Sequence, residues 1–123
     1  MSLQDKKVLV VDDQYGIRVL LKEVFSKDGF CVYQAENGQV ALEMIQKVRP
    51  DLILLDMKMP GMDGIEFLRR LQGVQPMPKV IMMTAYGELD MVQEATKLGA
   101  LAHLTKPFDI VQLRSEVLKQ LAS

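Results

Sequence analysis

Three short, almost unbroken apolar runs constrain the fold of this chain more than any other feature: Lys7–Asp12 (KVLVVD), Asp51–Asp56 (DLILLD) and Lys79–Thr84 (KVIMMT). Strands with one wet face alternate apolar and polar residues. These do not, so they read as parallel strands covered on both faces. Cys31–Ala35 is a weaker run that fits an edge strand, and Leu101–Leu104 is a short candidate for the last strand. The segments between them carry helical periodicity. In Gln14–Lys27, Ile17, Leu20, Leu21, Val24 and Phe25 fall on one arc, and Gly29 ends the pattern. Gln39–Val48 follows the Asn37-Gly38 turn and stops before Pro50. Asp63 with Glu66 predicts a capping box for Gly64–Leu71, and Glu88–Leu98 ends at Gly99. Asp109 with Gln112 predicts a second capping box for the final helix, whose apolar stripe is Ile110, Leu113, Val117 and Leu121. Strand and helix thus alternate along the whole chain, which predicts an α/β domain with a parallel sheet and right-handed crossovers.

A length of 123 residues suits one domain, with a core that needs neither disulfide nor structural metal. With 15 basic and 16 acidic side chains the net charge is -1, which argues against a nucleic-acid or anionic membrane surface as the main partner. Cys31 is the one cysteine, so no internal disulfide forms, and a half-buried thiol in a reducing cytosol is expected. The first residues lack the apolar core of a signal peptide, and no run approaches the ~18 apolar residues of a membrane span. A cytoplasmic protein is the expectation.

In an open parallel sheet, ligands sit outside the carboxyl ends of the strands. The groups that close the strands here are Asp12 and Asp13, Asp56 and Thr84, with Lys106 after the fifth. If the first and third strands are neighbours, three carboxylates converge. Two like charges about 4 Å apart repel by about 4 kcal/mol at an effective dielectric of about 20. A hard divalent cation offsets this, and oxygen ligands suit Mg²⁺, with Mn²⁺ or Ca²⁺ able to substitute in binding. One carboxylate is then free to attack phosphorus, while the metal and Lys106 neutralise the phosphoryl oxygens and Thr84 donates a hydrogen bond. Asp56 is the candidate nucleophile. It opens the loop Met57–Gly64, where Pro60 and Gly61 favour a turn and the backbone carbonyl of Lys58 is a candidate metal ligand.

The ordered set Asp12-Asp13, Asp56, Thr84-Ala85 and Lys106-Pro107 resembles the receiver domain of two-component response regulators, over roughly Lys6 to Leu121. That resemblance implies a flavodoxin-like, doubly wound sheet of order 2-1-3-4-5 with five helices. It implies Mg²⁺ held by Asp13, Asp56 and the Lys58 carbonyl, with Asp12 acting largely through water, and phosphorylation of Asp56 by a sensor histidine kinase. A narrower likeness is to stand-alone regulators of sporulation phosphorelays. Its carriers are Asp12 to Arg18 (DDQYGIR), Pro60 to Gly64 (PGMDG), Thr84 to Met91 (TAYGELDM) and His103, where many receivers have Tyr or Phe. It implies transfer onward to a histidine phosphotransferase, with an aspartyl-phosphate phosphatase as a further partner and a monomeric state. Residues 1–123 are expected to form a single receiver domain with no output domain.

Each candidate has a plainer reading. Ile17 and Leu20 lie within a helical apolar arc, where core is the default, yet they stand near the active-site end. Gln14, Tyr15, Pro60, Tyr86, Pro107 and Phe108 are candidate rim contacts for a partner, and His103 is either a half-exposed strand-end residue or a tuner of partner binding. Met57, Met59 and Met62 are either core or an adaptable partner surface. The rival to a relay is a chemotaxis-like binding switch. A magnesium-dependent phosphatase and a receiver excised from a longer regulator are further alternatives.

Overall fold

The computed structural model describes residues 4–85 and 89–122. Five strands alternate with five helices: β1 (Lys7–Val11), α1 (Tyr15–Lys27), β2 (Cys31–Ala35), α2 (Gly38–Val48), β3 (Leu52–Asp56), α3 (Gly64–Leu71), β4 (Lys79–Thr84), α4 (Leu89–Lys97), β5 (Ala102–Thr105) and α5 (Ile110–Ala122). The strands form one parallel sheet in the order β2-β1-β3-β4-β5. The two weaker runs are therefore the edges, as expected of Cys31–Ala35. The predicted start of the fourth helix at Glu88 lies outside the described residues.

Period-two side-chain direction explains why the central runs are continuously apolar. Leu9, Val11, Ile53, Leu55, Val80 and Met82 face one core, completed by residues of α2, α3 and α4 such as Ile45, Phe67 and Ala95. Val8, Val10, Leu52, Leu54, Ile81 and Met83 face the other, closed by Leu21 and Phe25 of α1 and Leu113, Val117 and Leu121 of α5. Both faces are covered, so both parities must be apolar.

The caps fix where helices begin. Asn37 Oδ1 accepts the Val40 N–H at 2.9 Å, and Asp63 Oδ1 accepts the Glu66 N–H at 2.9 Å. Glu66 turns its carboxylate to Arg70 at 3.6 Å, so this is a one-sided cap. Asp109 caps α5 through the Val111 N–H at 2.8 Å. α2 ends with Arg49 in the left-handed region, φ 56°, directly before Pro50. Among the described residues no helix is long and apolar enough to cross a membrane.

Candidate functional site

The site forms because β1 and β3 are neighbours and both stop at the same level. Val11 pairs with Leu55, so Asp12 and Asp56 emerge side by side, and Asp13 follows one residue later. Asp12 is fully buried, Asp56 is 6% exposed and Asp13 is exposed. One oxygen from each of the three lies within 4.8 Å of the others. β4 adds Thr84, one residue past the Asp56–Met83 register pair and 2% exposed.

Lys106 closes the constellation from the far side of the sheet. Its Nζ stands 2.7 Å from Asp12 Oδ2 and 3.7 Å from Asp56 Oδ1. Its backbone N–H donates to the Thr84 carbonyl at 2.6 Å, which ties the loop after β5 to the end of β4. The primary partner of the lysine is thus Asp12, not the proposed phosphoryl acceptor. The other oxygen of Asp12, Oδ1, accepts the Gln14 N–H at 2.8 Å, and Arg18 Nη1 donates to the Asp12 carbonyl at 2.7 Å. Arg18 also lies over the ring of Tyr15, 5.7 Å from its centroid. Asp12 is therefore fixed at its side chain and its backbone. Arg18 was not singled out from sequence, because a helical arginine gives no sign of which carbonyl it will reach.

Asp56 is less satisfied. Its Oδ1 accepts the Lys58 N–H at 3.2 Å. Burial, and then the Asp12 carboxylate, push the Asp56 carboxyl up from 3.8 to about 6, against the pull of Lys106 and the Lys58 N–H. A carboxylate pressed toward its neutral form beside two others is a site short of positive charge. Three hard oxygen donors and a deficit of charge fit a small divalent cation. Thr84 Oγ1 is 3.4 Å from the Leu104 carbonyl, a long contact that leaves the hydroxyl available to another acceptor.

Five of the candidate partner residues come together. Gln14 at the cap of α1, Ile17 and Leu20 of α1, and Pro107 and Phe108 before α5 line one groove together with Lys106. Leu20 is 41% exposed and Tyr15 is 72% exposed, so the apolar arc of α1 is wider than the surface it buries. Pro60 is exposed on the β3–α3 loop, and His103 is exposed in a separate groove with Asp109, Gln112 and Glu116. Tyr86 lies outside the described residues. Met57 and Met59 are core, and Met62 packs partly buried against them, so these methionines offer little surface to a partner.

A carboxylate cluster at a switch point, faced by a lysine and a strand-end hydroxyl, defines a class as well as a pocket, and the chain belongs to the response regulator receiver domains, whose family model matches residues 8–118. Within that family it is 58% identical over 119 residues to sporulation initiation phosphotransferase F of Bacillus subtilis, covering 97% of this chain and 96% of that one. It is 38% identical to the chemotaxis protein CheY of Thermotoga maritima over 104 residues, 84% of this chain and 87% of that one. Its backbone superposes on the crystal structure of a response regulator from Chloroflexus aurantiacus with a TM-score of 0.89 at 30% identity, covering 98% of this chain and 100% of that one.

Proposed function

We propose that this chain is a phosphorelay intermediate of a sporulation pathway, which takes a phosphoryl group onto Asp56 from a sensor histidine kinase and passes it to a histidine phosphotransferase. The observation that carries the chemistry is the buried Asp12–Asp56 pair bridged by Lys106, with Asp13 and Thr84 at its mouth. The pathway rests on the 58% identity to the sporulation phosphotransferase, which spans nearly all of both chains.

An Asp56 oxygen attacks the phosphorus of a phosphohistidine. The P–N bond breaks, its electron pair stays on the imidazole, and Asp56 becomes an acyl phosphate. In the second transfer an imidazole nitrogen attacks, the P–O bond to Asp56 breaks and the carboxylate is regenerated. With a pKa of about 6, Asp56 is mostly ionised at neutral pH and competent to attack. Asp13, Asp56 and the Lys58 carbonyl would hold Mg²⁺, with Asp12 acting through water. Bound there, the metal supplies neutralisation of charge on the phosphoryl oxygens. Lys106 adds a cation of the chain's own, and Thr84 donates its hydroxyl to a phosphoryl oxygen.

The groove of Gln14, Ile17, Leu20, Pro107 and Phe108 suits a helical partner, because its lining is mainly apolar and includes Lys106 of the proposed site. Tyr15 and Pro60 are exposed residues that extend the contact, His103 offers a further one from its separate groove, Tyr86 is a candidate by its place in the sequence after Thr84, and an aspartyl-phosphate phosphatase would have to approach by the same mouth. We place the chain in the cytoplasm as a monomer.

The test is transfer of radiolabel from a phosphorylated kinase, with Mg²⁺ or with chelator, followed by addition of a histidine phosphotransferase. Label should pass through a hydroxylamine-sensitive form on this chain to the partner's histidine, and chelation should stop the first step. A stable stoichiometric complex without transfer would favour the chemotaxis-like binding switch instead.

A further inference from the structure

Met57 sits between the phosphoryl-accepting Asp56 and Lys58, and its backbone is held from two sides. Its N–H donates to the Met83 carbonyl of β4 at 3.2 Å, and its carbonyl accepts the Gly64 N–H at 3.0 Å. The second bond closes the β3–α3 loop on itself, because Gly64 is the first residue of α3. That closure brings the two backbones closer than any side chain allows. A Cβ added at Gly64 would lie 2.8 Å from the Met57 Cα and 2.5 Å from its Sδ. The φ of Gly64 is not in the left-handed region, so the requirement is for space, not for a glycine conformation. Met57 is fully buried among apolar side chains and has no room to retreat.

Among the described residues the other glycines do not share this constraint. At Gly38 an added Cβ meets only the flexible side chain of Met62, the nearest atom being Sδ at 2.8 Å, and at Gly16 it meets nothing within 4 Å. Among these three, only Gly64 presses on the backbone of the loop that begins at Asp56.

We infer that Gly64 is a positioning residue, whose missing side chain sets the place of Met57 and, through it, of the Lys58 carbonyl offered to Mg²⁺. The inference rests on the reading of Asp12, Asp13 and Asp56 as a Mg²⁺ site. A methyl group at position 64 pushes the Met57 Cα away from α3. The next peptide carries the Lys58 N–H, which donates to Asp56 Oδ1 at 3.2 Å, so Asp56 and Lys58 move together.

The experiment is calorimetric titration of Mg²⁺ into the whole chain, comparing wild type with Gly64→Ala and with Met57→Ala/Gly64→Ala. Leu71→Ala serves as the control, since it empties a fully buried position at the far end of α3. Gly64→Ala should raise the Mg²⁺ Kd at least tenfold. The double variant should stay at least fivefold weakened, because the contact with the Met57 Cα survives loss of Sδ and Cε. Leu71→Ala should melt at lower temperature with a Kd within twofold of wild type. A folded Gly64→Ala within twofold of wild type overturns the inference, as does full recovery in the double variant. Should either variant be unfolded in plain buffer, the titration is run in trimethylamine N-oxide, which favours the compact state, and the same outcomes decide. Absence of Mg²⁺ binding by the wild type would overturn the metal reading itself, a failure distinct from unaltered binding by Gly64→Ala.

Discussion

Asp51 precedes β3 and Asp56 closes it, so one strand carries a carboxylate at each end. Asp51 Oδ2 accepts the Lys7 N–H at 2.7 Å, and the Asp51 N–H answers with a bond to the Lys7 carbonyl at 2.8 Å. The charged groups around it are also satisfied locally: Lys7 Nζ reaches the Val48 carbonyl at 3.1 Å, and Lys79 Nζ reaches the Gln120 carbonyl. At the other end of the sheet three carboxylates converge, Lys106 stands beside two of them, Asp12 and Asp56, and Asp56 is pushed toward neutrality. The residue types are the same at both ends. What separates a structural edge from a reactive one is the ratio of acids to available positive charge, together with burial that keeps water from screening the excess.

The strongest way to break that contrast is to remove the proposed nucleophile. Asp56→Asn should lower phosphoryl acceptance from a cognate kinase by at least about a thousandfold, since an amide cannot form the acyl phosphate. Acid-labile, hydroxylamine-sensitive label persisting in the variant would move the acceptor elsewhere. Removing Lys106 takes away the chain's own share of the missing charge. Lys106→Ala strands the fully buried Asp12 and should destabilise the Mg²⁺-free protein by about 2–3 kcal/mol. That is less than for a deeply buried pair, because Lys106 keeps 19% exposure. Urea unfolding measures it, and saturating Mg²⁺ should recover part of the loss; an equal deficit with and without metal would separate Lys106 from the cation site.

Protonation sharpens the comparison further. The folded-state pKa of Asp56, about 6, lies above its ordinary 3.8, so the folded chain holds this proton more tightly than the unfolded one. Stability from this group is present below about pH 4 and is lost as pH rises through about 6. Asp56→Asn should therefore stabilise the metal-free protein at pH 7 by about 1–3 kcal/mol, and the gain should vanish near pH 4. Mg²⁺ binding runs the other way: affinity should fall as pH drops through about 6, because the cation needs the ionised carboxylate. A pH-independent stability difference would show that Asp56 titrates normally.

Sequence made one end of this comparison legible and left the other almost silent. The strands were readable because two-sided burial forces continuous apolar runs, and the closing acids stood out because they interrupt those runs. Lys106 was legible as the cation after the last strand that would neutralise phosphoryl oxygens; that it bonds Asp12, 94 positions away, follows from the sheet order. The helical arc of α1 placed Leu20 with Leu21 and Phe25, but the sheet and α5 cover only part of that arc, and Leu20 faces outward. Methionine fits a core or a contact surface equally well, so Met57 and Met59 had to wait for their neighbours. Gly64 was readable as a helix start but not as a close approach, because the atoms that crowd it belong to a residue across a closed loop.

Asp51→Asn is the smallest expected effect and the sharpest control. The amide oxygen still accepts the Lys7 N–H, so only the charge is lost, and stability should change by about 0.5–1 kcal/mol at most. Its influence on the far end is bounded by distance. Five residues of strand at about 3.3 Å each separate position 51 from position 56 by about 16 Å. The screening length at physiological ionic strength is about 8 Å, so the field of Asp51 is largely gone before it reaches the cluster. Mg²⁺ affinity and the pH at which Asp56 titrates should therefore match wild type within twofold and within about 0.2 pH units. A larger change would mean that the two ends communicate through the backbone of β3, and the contrast between them would then be one of degree.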